Sequence, residues 1–178
     1  SGHIGLQAEG APLEFRRFRI QELNSESLSV PSKWPGTKDE HWLKSNYGLL
    51  FKPDGLARVK PESRYENYVL RLEWRTDGNG AEIGVVHQAR LTTVRLNDSG
   101  GEFIEGQPAK SVDNLPGQWN YLQLTLTAGK LSVWQNGVDV VKEFDTSNGQ
   151  AVDGGFLIIR ASEPGMQFRN LRIKAAAQ

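Results

Sequence analysis

Apolar residues recur at every second position over most of this chain, and that period suits strands rather than helices. In YVLRLEWR, residues 68–75, Tyr68, Leu70, Leu72 and Trp74 fall on one face while Val69, Arg71, Glu73 and Arg75 fall on the other. The run YLQLTLT, residues 121–127, opposes Leu122, Leu124 and Leu126 to Gln123, Thr125 and Thr127 in the same way. Such alternation marks antiparallel strands with one buried and one wet face. Asn136-Gly137, inside KLSVWQNGVDVV at 130–141, signals a two-residue hairpin turn, and Pro53-Asp54-Gly55 inside GLLFKPDGLARV at 48–59 signals another. Strands are expected at 4–8, 13–22, 47–52, 55–60, 67–75, 81–88, 92–97, 119–127, 130–135, 138–144, 155–161 and 166–174, with no helix. Many short strands separated by frequent turns imply an all-β antiparallel sandwich or a closed barrel.

The two ends of the chain repeat each other. GHIGLQAEGAPLEFRRFRI at 2–20 aligns without a gap with GFLIIRASEPGMQFRNLRI at 155–173, placing Phe15 on Phe168, Arg16 on Arg169 and Ile20 on Ile173. The most economical reading makes residues 1–22 the last strands of an upstream repeat. An added edge strand and a chance likeness are the alternatives. The polar stretch 23–40, with Pro31 and Pro35, then reads as a linker and 41–178 as the main domain.

Composition removes several classes of function. Lys plus Arg and Asp plus Glu both number 21, giving a net charge of zero, so no basic surface for nucleic acid is expected. No apolar run nears the ~20 residues that cross a bilayer, and membrane insertion is not expected. The sequence has no cysteine, which removes disulfides, cysteine-zinc sites and thiol nucleophiles together. Phosphate-binding loops, dinucleotide fingerprints, serine nucleophile elbows and zinc-protease motifs are also missing.

Trp42 followed by Gly48-Leu49-Leu50, YENYVLRLEWR at 65–75, a Gly-rich turn, PGQWNYLQLTL at 116–126, GKLSVWQNGVDV at 129–140 and the closing FRNLRI together resemble the 3-keto-disaccharide hydrolase family over residues 40–174. Residues 2–20 resemble the C-terminal end of that family. The resemblance implies a concanavalin-like jelly roll whose concave face handles carbohydrate, in secreted or periplasmic proteins of the bacterial envelope. Contacts with an upstream domain of the same protein would follow from the repeat. The E-[FW]-R element of the family falls on Glu73 and Arg75. Where the family presents Glu, Gln and Asp, this chain has Thr93, Arg95 and Asp98, so an acid is lost and a basic residue gained. After the Gly-rich turn the family carries an apolar triplet and Arg, whereas this chain reads DGNGAEIGVVHQ at 77–88. Both departures weigh against retained hydrolysis.

Sugar hydrolysis in its common form needs two carboxyl groups with opposed tasks, ~5–10 Å apart. Glu73 and Glu82, read as lying on neighbouring strands of one sheet ~4.8 Å apart, meet that spacing. His87 adds a proton carrier near neutral pH, and these three are the catalytic candidates. Arg71, Arg75, Arg95 and Asp98 are candidates for holding substrate, the arginines through their planar donor forks. Trp134 alternates out of phase with Leu131 and Val133 and so faces outward as a platform for a sugar ring, while Trp74 and Trp119 are expected in the core. The plainer alternative is that Arg71, Glu73 and Arg75 form a row of ion pairs on a wet face. Arg169 and Arg172, like their counterparts Arg16 and Arg19, read as outward-facing sheet residues. No cofactor is expected; Asp98 and Glu102 offer oxygen ligands to a divalent cation such as calcium if one is held. The chain is thus expected to cleave 3-keto-glycosides as a hydrolase or lyase with Glu73 as acid or base. A non-catalytic glycan-binding module and a structural domain are the alternatives.

Overall fold

Strand parity becomes burial in this molecule, since the residues expected on apolar faces are the ones sealed from solvent. The computed structural model describes residues 24–45, 48–52, 56–59, 65–76, 80–96, 102–104, 107–108, 112–151, 157–161 and 165–176. In chain order these carry β1 (Glu26–Ser27), β2 (Trp42–Ser45), β3 (Gly48–Phe51), β4 (Leu56–Val59), β5 (Tyr68–Arg75), β6 (Ala81–His87), β7 (Arg90–Leu96), β8 (Glu102–Ile104), β9 (Gln107–Pro108), β10 (Asn120–Thr127), β11 (Lys130–Gln135), β12 (Val138–Asp145), β13 (Gln150–Ala151), β14 (Leu157–Ala161) and β15 (Gln167–Ala175). Short 3₁₀ turns occupy Pro31–Lys33, Asp39–His41 and Thr146–Asn148, and the described residues contain no α-helix. The strands expected at 4–8 and 13–22, and the repeat they carry, lie outside the described residues.

The larger sheet runs β12-β11-β10-β5-β15-β3-β2 with β1 added on β15, the smaller runs β13-β7-β6-β14-β4, and β8 pairs with β9. Across β5 and β10, Leu72 faces Leu122 and Leu70 faces Leu124. These leucines, with Trp74 and Leu126, meet Ile83, Val85, Val94, Leu157 and Ile159 of the smaller sheet in one core, every one of them at most 1 % exposed. Burying such a side chain contributes about 1.5–3 kcal/mol, so this shared face is what joins the layers. The architecture is the expected all-β antiparallel sandwich of the concanavalin-like jelly-roll type.

Among the described residues, three two-residue turns connect neighbouring strands. Asn136-Gly137 (φ 47° and 93°) joins β11 to β12 as its sequence predicts, and Ala128-Gly129 (φ 47° and 74°) joins β10 to β11. Gln88-Ala89 (φ 47° and 58°) closes β6 on β7 without a glycine. Lacking that signal, the sequence reading starts the next strand at 92 rather than at Arg90. All three turns take left-handed backbone, whose twist matches that of the flanking strands.

Residues 24–40 differ from the expected linker. Leu28 and Trp34 are 0 % and 1 % exposed and belong to the core. Leu28 N–H donates to Leu171 O at 2.8 Å, and Trp34 Nε1 donates to Leu28 O at 2.7 Å. The Trp34 ring lies 4.7 Å from Phe51, which stacks on Trp42 at 4.6 Å. Lys33 pairs with Glu26, which also accepts from Tyr65 Oη at 2.9 Å. Polar and proline-rich composition concealed two apolar anchors, and one buried indole outweighs several exposed serines because its apolar area is so much larger.

A candidate carbohydrate-binding face

The outer face of the larger sheet is built by the polar parity of its strands. Glu73 of β5 lies opposite Tyr121 of β10 on one side and Arg169 of β15 on the other. Arg71 lies opposite Gln123, Gln123 opposite Trp134 of β11, and Trp134 opposite Asp139 of β12. Cross-strand neighbours of this kind come within side-chain reach.

A bulge in β15 shapes this face. Pairing with β5 shifts between Arg169 and Arg172, Asn170 takes φ 54°, and Phe168 and Leu171 both reach the core at 0 % exposure. An inserted residue in left-handed backbone is the usual way to restore inward parity, and Asn tolerates that conformation better than most residues. Its consequence here is chemical. Glu73 Oε2 accepts from Arg169 Nε at 2.8 Å and Nη2 at 2.5 Å, and Oε1 accepts from Asn170 Nδ2 at 2.5 Å. One carboxylate oxygen thus takes two N–H groups of a guanidinium and the other takes an amide.

Around it the arginines are ordered by amides and an indole. Arg71 Nε donates to Gln123 Oε1 at 2.8 Å, and Arg75 donates to Gln167 Oε1 through Nε at 3.1 Å and Nη2 at 2.9 Å. The guanidinium carbons of Arg75 and Arg169 lie 4.7 Å and 3.9 Å from the centre of the Trp119 ring. Trp119, expected in the core, is instead half-buried beneath these two cations, where the ring quadrupole favours them. Beside this cluster, Tyr121, Gln123, Thr125, Ser132, Trp134 and Asp139 line a hollow of about 530 Å³. Trp134 meets Tyr121 edge-on with centroids 5.5 Å apart, and Tyr121 is 37 % exposed. Trp134 does face outward, as its phase predicts.

The other expected catalytic groups lie elsewhere. β6 belongs to the smaller sheet, so Glu82 and Glu73 do not sit on neighbouring strands of one sheet. Ala81, Ile83 and Val85 point inward, which turns Glu82 to the far outer face. There it meets Arg95 at 3.8 Å and Arg160 at 3.4 Å. Sheets pack ~10 Å apart, and the two carboxylates point away from each other across that thickness. The catalytic trio of the sequence reading is therefore split over three places, with His87 at one end of the sandwich beside Thr146. Arg95 goes with Glu82 and not with Arg71 and Arg75. Asp98 lies outside the described residues. Asp139, an exposed acid of β12, is three strands from Glu73, roughly 14 Å by strand spacing. Among the described residues no group of three His, Asp or Glu side chains is placed to hold a metal.

The family model of the 3-keto-alpha-glucoside-1,2-lyase-like domain matches residues 27–174. The chain belongs to that family. This lyase-like domain is similar in structure to two provisionally named glycosyl hydrolases of Parabacteroides distasonis. The first has a TM-score of 0.64 at 18 % identity, covering 85 % of this chain and 99 % of the other. The second has a TM-score of 0.60 at 14 % identity, covering 82 % and 89 %. A carbohydrate-binding module from Bacillus subtilis matches with a TM-score of 0.51 at 11 % identity over 75 % of this chain and 91 % of its own. At these identities the likeness is one of fold. No curated protein matches the chain. The match beginning at residue 27 takes in most of the segment read as a linker, in keeping with the burial of Leu28 and Trp34.

Arg169, Asn170, Trp119, Tyr121, Gln123 and Asp139 are residues of this lyase-like domain that the sequence reading left out of the site. One signal was available. Phe168 and Leu171 are three apart in FRNLRI, and two core residues at that spacing in a strand require an extra residue between them.

Proposed function

We propose that the domain binds carbohydrate on the outer face of its larger sheet. Trp134 and Tyr121 form the platform, with Arg71, Gln123 and Asp139 as polar partners. The observation that carries this reading is the Tyr121–Trp134 pair, two partly exposed rings 5.5 Å apart at the edge of a polar hollow of about 530 Å³. A pyranose offers C–H groups on one face and hydroxyls around its rim. Aromatic faces suit the first and amide, hydroxyl and carboxylate groups suit the second. Titration calorimetry with glucosides and their 3-keto forms tests it. Trp134→Ala is expected to weaken binding at least ~10-fold, which is about 1.4 kcal/mol. Unchanged affinity in that variant removes the platform.

Membership of the lyase-like family favours a second, catalytic reading at the same face. In a 3-keto glucoside the carbonyl at C3 acidifies the C2 proton. A base takes that proton, the C2–H electron pair forms the C1=C2 double bond through the enolate, and the C1 substituent leaves with its oxygen and takes up a proton. Such an elimination needs one base and a cation near the enolate oxygen, not two opposed carboxyl groups. Glu73 fits the first role and Arg71 or Arg75 the second. Turnover of a 3-keto-glucoside that falls at least ~100-fold in Glu73→Gln supports it, and equal turnover removes Glu73 from catalysis. A secreted or periplasmic setting, where polysaccharide is met, belongs to the same proposal.

A further inference from the structure

A second hollow, of about 710 Å³, opens at the end of the sandwich and shares no lining residue with the first. Its walls come from both sheets. The end of β6 supplies His87, the start of β7 Arg90, the β10–β11 turn Gly129, the start of β11 Lys130, and the 3₁₀ turn after β12 Thr146.

His87 is tied into this hollow through one edge of its ring. Thr146 Oγ1 donates to Gly129 O at 2.9 Å, and a carbonyl oxygen can only accept, so the single hydroxyl proton is committed there. Thr146 Oγ1 also lies 3.2 Å from His87 Nδ1. The hydrogen between them must then come from the ring. Neutral His87 is the Nδ1–H tautomer, and Nε2, on the opposite side of the imidazole, keeps its lone pair. Gly129 lies against the ring, and a Cβ there would stand 3.2 Å from His87 Cε1, so the turn residue has to stay small. Close by, Lys130 Nζ and Asp145 Oδ2 are 2.6 Å apart, setting a donor beside an acceptor, and Arg90 donates to Gly149 O at 3.3 Å.

We infer that this end hollow is a second ligand site, for a polyhydroxyl ring compound, in which His87 Nε2 accepts a hydroxyl hydrogen while Lys130 and Asp145 hold a neighbouring hydroxyl. Acids and bases on its walls are balanced, with Arg90 and Lys130 set against Glu66 and Asp145, which favours a neutral polyol over an anion. The choice of a sugar rests on the carbohydrate reading above, but the geometry of His87 does not.

Methyl α-glucopyranoside titrated into the full 178-residue chain, followed by amide and imidazole nitrogen shifts, tests the site. Saturable shifts at His87, Lys130 and Thr146 are expected, with the nitrogen spectrum of the free protein reporting the Nδ1–H tautomer. Those shifts are expected to survive Trp134→Ala, which removes the first platform, and so to be separable from failure of the outer face. His87→Asn keeps an amide donor for Thr146 and deletes the Nε2 acceptor. It is expected to leave the fold intact and weaken binding at this site at least ~10-fold. An Nε2–H tautomer, no saturable shift at the hollow, shifts that vanish in Trp134→Ala, or unchanged affinity in His87→Asn would each overturn the inference.

Discussion

Both carboxylate oxygens of Glu73 are engaged by β15, Oε2 by Arg169 and Oε1 by Asn170. Glu73 and Arg169 are 22 % and 16 % exposed, so water screens the pair only in part. Glu73→Gln keeps the shape, removes the charge and leaves the Arg169 guanidinium over Trp119 without its anion. A loss of about 1.5–3 kcal/mol, the usual worth of hydrogen bonds to charged groups, is expected in urea unfolding. Arg169→Lys is expected to lose nearly as much, because an ammonium provides neither the two-pronged bond nor the flat stack on the indole. Parity placed Glu73 on the wet face. Its partner was out of reach of pattern reading, since Arg169 lies 96 positions away and is joined to it only by the pairing of β5 with β15.

The bulge in β15 makes a different demand. Asn170 sits at φ 54°, where a β-branched side chain is strained and glycine is at ease. Asn170→Val is expected to cost about 1–3 kcal/mol. Asn170→Gly is expected to preserve the bulge and lose only the amide bond to Glu73, so its melting temperature should stay the higher of the two. Equal melting temperatures would show that backbone strain at Asn170 is not what the element resists. Regular elements such as β5, β10 and β11 were legible from period two, because a strand with one buried face has a single admissible phase. The bulge showed only as the three-residue spacing of Phe168 and Leu171, the turn at Gln88-Ala89 lacks the glycine that would mark it, and the burial of Trp34 depends on packing against Phe51, outside its own segment.

Across the whole molecule, alternation tells which way a residue faces within its sheet but not which sheet it belongs to. Glu73 and Glu82 are nine positions apart, yet the chain changes layers between β5 and β6. An inference drawn from adjacency therefore placed on one face two acids that lie on opposite ones. The end of the sandwich also sets a response to acid. Lys130, then Ser147, holds the Asp145 carboxyl below its ordinary 3.8. A lowered acid stabilises the fold fully above its unfolded value and progressively less as pH falls toward the lowered one. The melting temperature is therefore expected to drop below about pH 4, and less steeply in Asp145→Asn. Asp113, pushed up by burial, contributes with the opposite sign and softens the fall. One consequence of the aromatic arrangement is optical. Trp34, Trp42 and Trp74 are at most 9 % exposed, while Trp119 and Trp134 are half-buried on the outer face. Emission should divide into a blue-shifted component that iodide barely quenches and a redder one that it reaches. A saccharide resting on Trp134 would shield part of the second alone, so occupancy could be followed without any label.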